Sequence, residues 1–159
     1  MIQRIQSVYL LLASILCVVC LCLPVATLLV TDAKLAIEAS ATQQVYNLLI
    51  VSGDGARQFT TCPLFLLLLC SASLMLYTIF AYRNRMMQSR LCLFISLLLL
   101  GWHILYAVYS QILVGAGSGG AFQGSFAAVL PFVSLVLTVL ARRRIIADEK
   151  LVRAADRIR

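Results

Sequence analysis

The sequence predicts an all-α membrane protein, a single domain of four transmembrane helices with both termini on the cytoplasmic side. Three observations carry that prediction. Hydrophobic residues make up 62% of the 159-residue chain and the mean hydropathy is +0.99, whereas soluble domains run at roughly 45 to 50% apolar. Charged residues amount to only 12%, and they are segregated, leaving long stretches with none. The segments between those stretches differ in charge, which orients them.

The first stretch, Ile5 to Thr31, holds 27 consecutive uncharged residues. As a helix it would be about 40 Å long, against a hydrocarbon core of about 30 Å. It places a first span over about Val8 to Val30. A secretory signal peptide is the competing reading, and Ala39-Ser40-Ala41 offers a small-x-small cleavage pattern. The apolar run is, however, about twice as long as a signal core. No cysteine follows a Gly, Ala or Ser, as a lipoprotein cleavage site would need. The segment is therefore expected to stay in the mature protein.

Residues 32 to 57 are polar and mixed in charge. Leu35 and Ile37 alternate with Ala36 and Glu38, and the apolar run Val45 to Val51 is followed by Gly53-Asp54-Gly55. Alternation and glycine turns of this kind point to a small extracytoplasmic β-hairpin. The second span is expected at about Thr61 to Tyr82, with Pro63 in the first turn, where a missing N–H costs nothing. It stops at Arg83-Asn84-Arg85. From Leu91 to Ala141 lie 51 residues without a formal charge, interrupted by the glycine-rich run Gly115 to Gly120. That run divides them into a third span, about Leu91 to Val114, and a fourth, about Gly124 to Ala141. It also matches G-x-G-x-x-G, yet it follows no strand and opens no dinucleotide fold, so it reads as a flexible hairpin.

Residues 142 to 159 form a cytoplasmic basic tail behind Arg142-Arg143-Arg144. Ala147, Leu151, Ala154 or Ala155, and Ile158 recur at helical spacing, with Arg144/Asp148 and Glu149/Arg153 as i,i+4 pairs. A basic amphipathic helix on the inner leaflet fits that pattern. Orientation follows from the loops. The N-terminus, the 83 to 90 loop and the tail carry +1, +3 and +4, while the two connections on the other side carry -1 and 0. The positive side is expected to be cytoplasmic.

The net charge of +7 raises nucleic-acid binding as a class. The cations sit at membrane-flanking positions instead, where they set topology and attract anionic lipid. Five of the six cysteines, Cys17, Cys20, Cys22, Cys70 and Cys92, fall in or beside apolar stretches and read as small buried hydrophobes. Cys62 alone lies near the expected outer face. Small residues at Ala13, Cys17, Cys20, Pro24, Thr27 and Thr31 keep one seam of the first span facing a partner. Gly124, Ala127, Pro131, Ser134, Thr138 and Ala141 do the same in the fourth. Cys17-x-x-Cys20 could also be read as a redox or metal pair, which desolvation opposes.

His103 is the one ionisable residue deep in a span, which makes it a functional candidate. Counting along the spans places it near the bilayer midplane, in a polar layer with Ser71 and Ser134. Haem clamping by two histidines would need a second copy of the chain. No cofactor or metal is implied. Trp102, Tyr106 and Tyr109 beside His103 are expected on a lipid-facing surface.

A family resemblance becomes visible at the cytoplasmic elements. The opening Met1-Ile2-Gln3-Arg4-Ile5-Gln6, the loop Tyr82-Arg83-Asn84-Arg85 with Gln88 and Arg90-Leu91-Cys92, and the tail Asp148-Glu149-Lys150-Leu151-Val152-Arg153 with Ala155-Asp156-Arg157-Ile158-Arg159 resemble an uncharacterised family of small four-span bacterial membrane proteins, filed under domains of unknown function. The resemblance implies a bacterial cytoplasmic membrane and supplies no catalytic residues.

The functional expectation is a non-enzymatic membrane protein with a working surface on the cytoplasmic side. Arg83, Arg85, Arg90, Arg153, Arg157 and Arg159 would contact lipid headgroups or a membrane or cytoplasmic protein. A second class is transport by a homodimer, with His103 as its proton-bearing group, because small four-span exporters depend on a buried acid that these spans lack. A third is a thiol oxidoreductase, for which Cys62 would need an outer partner such as Cys20 or Cys22.

Overall fold

Long uncharged runs are committed to helix wherever nothing in the sequence breaks the backbone hydrogen bonds, and the computed structural model follows that rule. It describes residues 3–30, 41–51, 56–81, 85–116 and 121–156. Four helices are long and apolar enough to cross a membrane: α1 (Gln3–Cys22), α2 (Cys62–Phe80), α3 (Arg85–Ala116) and α4 (Leu130–Asp156). α1 packs against α2 and α4, and α3 packs against the same two, so the helices form a square in chain order.

The first expected span is corrected at its end. α1 stops at Cys22, and Ala26–Val30 is a strand, β1. Pro24 has no N–H to donate and disfavours helix at Leu23 before it, and Val25, Thr27 and Val30 are β-branched. Pro24 is thus a terminator, and Thr27 lies on the sheet instead of on a helix seam.

Four further strands join β1: β2 (Ala41–Val45), β3 (Ile50–Val51), β4 (Arg57–Gln58) and β5 (Ala121–Gly124). All pairings are antiparallel, in the order β4-β3-β2-β1-β5. The expected hairpin is therefore one part of a five-stranded sheet that also takes in β1, from the apolar end of the first run, and at one edge β5, from the residues between the glycine cluster and the fourth expected span. Leu35 and Ile37 lie outside the described residues, as do Gly53-Asp54-Gly55 and residues 117–120 of the glycine cluster.

The sheet closes one end of the bundle. α1 runs toward it, α2 leaves it through the 3-10 turn Phe59–Thr61, α3 returns to it, and α4 leaves it through the 3-10 turn Phe126–Val129. Ala26, Leu28, Val45 and Ile50 are buried, whereas Gln44 and Gln123 are exposed. That alternation is the signature of a sheet with one packed face.

Each helix buries one stripe. In α3 it is Gln88, Cys92, Ile95, Leu99 and Trp102, and in α4 it is Pro131, Ser134, Thr138, Ala141 and Ile145. Alternating steps of three and four residues keep such a stripe on one face. The opposite faces are apolar and exposed, as at Leu11, Leu97 and Ile104. The buried stripes of α1 and α4 are rich in small residues, Ala13, Cys17 and Cys20 on one and Ser134, Thr138 and Ala141 on the other. The backbones approach closely enough for the Ser134 hydroxyl to donate to the Ala13 carbonyl at 3.1 Å.

The basic tail does not form a helix of its own. It continues α4 without interruption through Asp156, held in part by Ile145, which is buried with Leu10, Cys92 and Ala141. Leu151 and Val152 are exposed.

The α1/α4 seam generates a prediction. Ala13→Leu forces extra volume between two closely packed backbones and should cost about 1 to 3 kcal/mol. The unfolding temperature in detergent or nanodiscs should fall by several degrees, whereas Leu11→Ala on the exposed face should leave it nearly unchanged.

Candidate functional site

The polar groups buried in the structure fall into three sets along the bundle axis. The most connected set lies where the sheet meets the helices. Asn47, in the turn between β2 and β3, is 0% exposed. Its Nδ2 donates to the Cys20 carbonyl at 2.8 Å and lies 3.7 Å from the Cys20 Sγ, and its Oδ1 accepts from the Trp102 indole N–H at 3.2 Å. Cys20 Sγ in turn donates to the Ala127 carbonyl at 3.3 Å. Because Cys20 lies in the last turn of α1, its carbonyl has no partner within the helix, and Asn47 supplies one.

Trp102 stacks on Tyr106, with ring centroids 5.3 Å apart, and the Tyr106 hydroxyl donates to the Val25 carbonyl at 3.1 Å. Gly124 leaves the room this requires, since a Cβ there would stand 3.3 Å from the Tyr106 hydroxyl oxygen. Thr61 donates to the Tyr46 carbonyl at 3.0 Å, and Tyr109 to the Thr60 carbonyl at 2.9 Å. The aromatic stripe expected to face lipid is thus turned partly inward, and Trp102 is wholly buried.

The second set lies deeper in the bundle. Ser71 and Ser134 both lie beside the Cys17 thiol. Ser71 donates to the Leu68 carbonyl at 2.8 Å, and Ser134 to those of Leu130 and Ala13. His103 is not among them. α3 begins at Arg85, before the expected start, and His103 stands beside Phe132, near the start of α4. Its Nδ1 is 2.8 Å from the Leu99 carbonyl, so in the neutral ring the proton is on Nδ1. Nε2 is buried without a hydrogen-bond partner among the described residues, and the ring meets Trp102 and Phe132 edge-on.

The third set is at the other end. Gln6 is 4% exposed, and its Nε2 has no partner among the described residues; the same holds for the Nε of Arg142. Gln6 precedes Leu10 by one turn and Arg142 follows Ala141, and Leu10 and Ala141 share the small apolar cluster that closes this end. Gln88 is also buried and donates to the Thr78 carbonyl at 3.3 Å.

Among the sequence-predicted contacts, Arg90 is exposed on the first turns of α3, and Arg85 and Arg153 lie on α3 and α4 at the same end. Arg83, Arg157 and Arg159 lie outside the described residues. Arg143, Arg144 and Lys150 are exposed on the same end of α4.

All six cysteines are free thiols. Among the described residues there is no group of three or more His, Cys, Asp or Glu placed to hold a metal ion.

Over this architecture, residues 2–158 match the family model described as a domain of unknown function, DUF4293. The chain belongs to that family. No curated protein matches it. Membership of DUF4293 agrees with the resemblance seen in the cytoplasmic elements and covers nearly the whole chain, including the sheet. It assigns no chemistry, so function has to be argued from the residues.

Sequence reasoning missed Asn47, Gln6 and Arg142. Each carried a signal. Asn47 is the lone amide in the apolar run Val45 to Val51, and Gln6 is found by stepping the α1 seam back from Ala13 through Leu10. Arg142 follows directly on Ala141, the last small residue of the α4 seam.

The Asn47 network generates the second prediction. Asn47→Ala strands the Cys20 carbonyl and the Trp102 N–H together, and each buried orphan costs about 1 to 3 kcal/mol. Trp102→Phe should cost less in lost hydrogen bonding, because it strands Asn47 Oδ1 alone. In a double-mutant cycle read by thermal unfolding, the pair should show a coupling of at least about 1 kcal/mol.

Proposed function

We propose that this member of DUF4293 is a non-enzymatic protein that crosses a bacterial cytoplasmic membrane four times and works through its basic end, which binds the anionic headgroups of the cytoplasmic leaflet. The single observation that carries the reading is the concentration of exposed cations at that end, with Arg90 on α3 and Arg143, Arg144 and Lys150 on α4. A phosphodiester oxygen is an acceptor only, and it carries the charge that an arginine matches.

The surroundings support the same ligand. Arg143, Arg144, Arg90 and Lys150 are exposed around this end, and each such cation near an anionic surface contributes about 1 kcal/mol of attraction. α3, at 32 residues, would be about 48 Å long, more than the roughly 30 Å of hydrocarbon. The surplus lets α3 and α4 carry their cations into the headgroup layer. With the basic end inside, both termini are cytoplasmic and the sheet lies on the outer side.

Two measurements check this. Replacing phosphatidylcholine nanodiscs with ones rich in phosphatidylglycerol should raise the unfolding temperature of the wild type by several degrees, since a ligand of the native state stabilises it by mass action. The triple change Arg142→Gln, Arg143→Gln and Arg144→Gln should remove most of that rise. A rise of equal size in the triple variant would defeat the reading.

Orientation is read by labelling intact cells with an impermeant maleimide. Cys62, half-buried at the start of α2, should react from outside, whereas Leu151→Cys on α4 should react only after permeabilisation.

A further inference from the structure

The opposite end of the molecule holds a hollow that the basic-end reading does not use. Its volume is about 390 Å³, within the range of roughly 300 to 1,000 Å³ typical of small-molecule sites. Leu21, in the last turn of α1, and Phe65, in the first turn of α2, form one side. The other side comes from the turn and strand that follow Asn47, with Leu48, Leu49 and Val51, all only half-buried. Tyr46 and Arg57 complete the lining. Arg57 is exposed, and it is the only charged side chain among the described residues at this end.

Two features of the hollow point to its occupant. Apolar side chains on a turn outside the helices ordinarily collapse onto the core; here the anchoring of Asn47 beneath the turn holds Leu48 and Leu49 up, so their apolar surface borders an open space. The space also straddles the level at which α1 ends and α2 begins, which in a membrane is the boundary between hydrocarbon and headgroups. A ligand there needs an apolar body reachable from the bilayer and an anionic group for Arg57.

We propose that the hollow is a binding site for a single-chain anionic amphiphile, a fatty acid whose chain lies against Leu21, Leu49 and Phe65 and whose carboxylate pairs with the Arg57 guanidinium. A methylene takes up about the share of liquid volume of a water, roughly 30 Å³. The hollow therefore holds about a dozen carbons, one chain and not the two of a phospholipid. An arginine and a carboxylate form the directional, charge-assisted pair that fixes the head.

The test uses the full chain in phosphatidylcholine nanodiscs and a diazirine-bearing dodecanoic acid, with its methyl ester as a neutral probe of the same chain. After photolysis and peptide mapping, the acid should label residues 46–51 and the first turn of α2, about tenfold more strongly than the ester. Arg57→Gln should bring the acid down to the level of the ester, and Arg57→Lys should keep most of the labelling. Leu49→Trp fills the hollow and should abolish labelling there, and an unchanged unfolding temperature shows that the fold survives. Equal labelling by acid and ester overturns the proposal, as does labelling spread along the outward faces of the four helices whatever stands at position 57. Because the basic end takes no part, either outcome leaves the headgroup reading to its own test.

Discussion

A helix end leaves its last carbonyls without donors, and α1 meets that demand at Cys20 through one side chain from another part of the chain. Asn47 gives its amide N–H to Cys20 and takes the Trp102 N–H in return, so a single residue joins α1, α3 and the turn of the sheet. Around that point the other contacts follow. Val25 donates its N–H to the Val45 carbonyl, and its own carbonyl accepts from both Ser125 N–H and the Tyr106 hydroxyl. The sheet is thus a lid bonded to the helix ends, and no part of it can shift register without breaking bonds into the bundle. Buried networks of this kind rigidify only when every member is satisfied, and Asn47 has partners on both sides of its carboxamide.

The four helices were legible because an apolar run of roughly twenty residues without a charge is what a helix needs to cross a bilayer, and soluble segments seldom supply one. Where they end was not, because an uncharged run does not distinguish helix from strand when both are apolar. Ala26–Val30 sits in the same uncharged run as α1, and only Pro24 and the β-branched residues after it mark the change. β5 was hidden in the same way behind the glycine cluster. Pairing β1 with β5 requires two segments 91 residues or more apart to meet, a contact no local pattern announces.

The same difference in helix length bears on His103. Counting His103 from Leu91 puts it at mid-span, but α3 starts six residues earlier and the Asn47 network fixes Trp102 at the sheet end. Ser71 and Ser134 were legible as a pair, since counting along the spans puts them at similar depth, and both lie beside Cys17. The orphan donors were harder to see. A glutamine near a helix start and an arginine in a stop signal are each ordinary in sequence, and their significance comes from burial that only packing reveals.

The distribution of satisfied and unsatisfied groups bears on where the molecule works. A conducting path needs polar atoms open to a passing ion or proton along its length. In the middle of the bundle the hydroxyls of Ser14, Ser71 and Thr138 each donate to a carbonyl three or four residues back on their own helix, at 2.8 Å. Their protons are already committed, and the stripes around them are apolar and close-packed. Among the described residues the buried polar atoms left open are His103 Nε2, Gln6 Nε2 and Arg142 Nε, one toward the sheet and two at the basic end. An isolated lone pair set edge-on to Phe132 has no next group among the described residues to hand a proton to. The buried hydroxyls of the bundle thus serve the fold, and it is the two ends of the molecule that present exposed charge and open space.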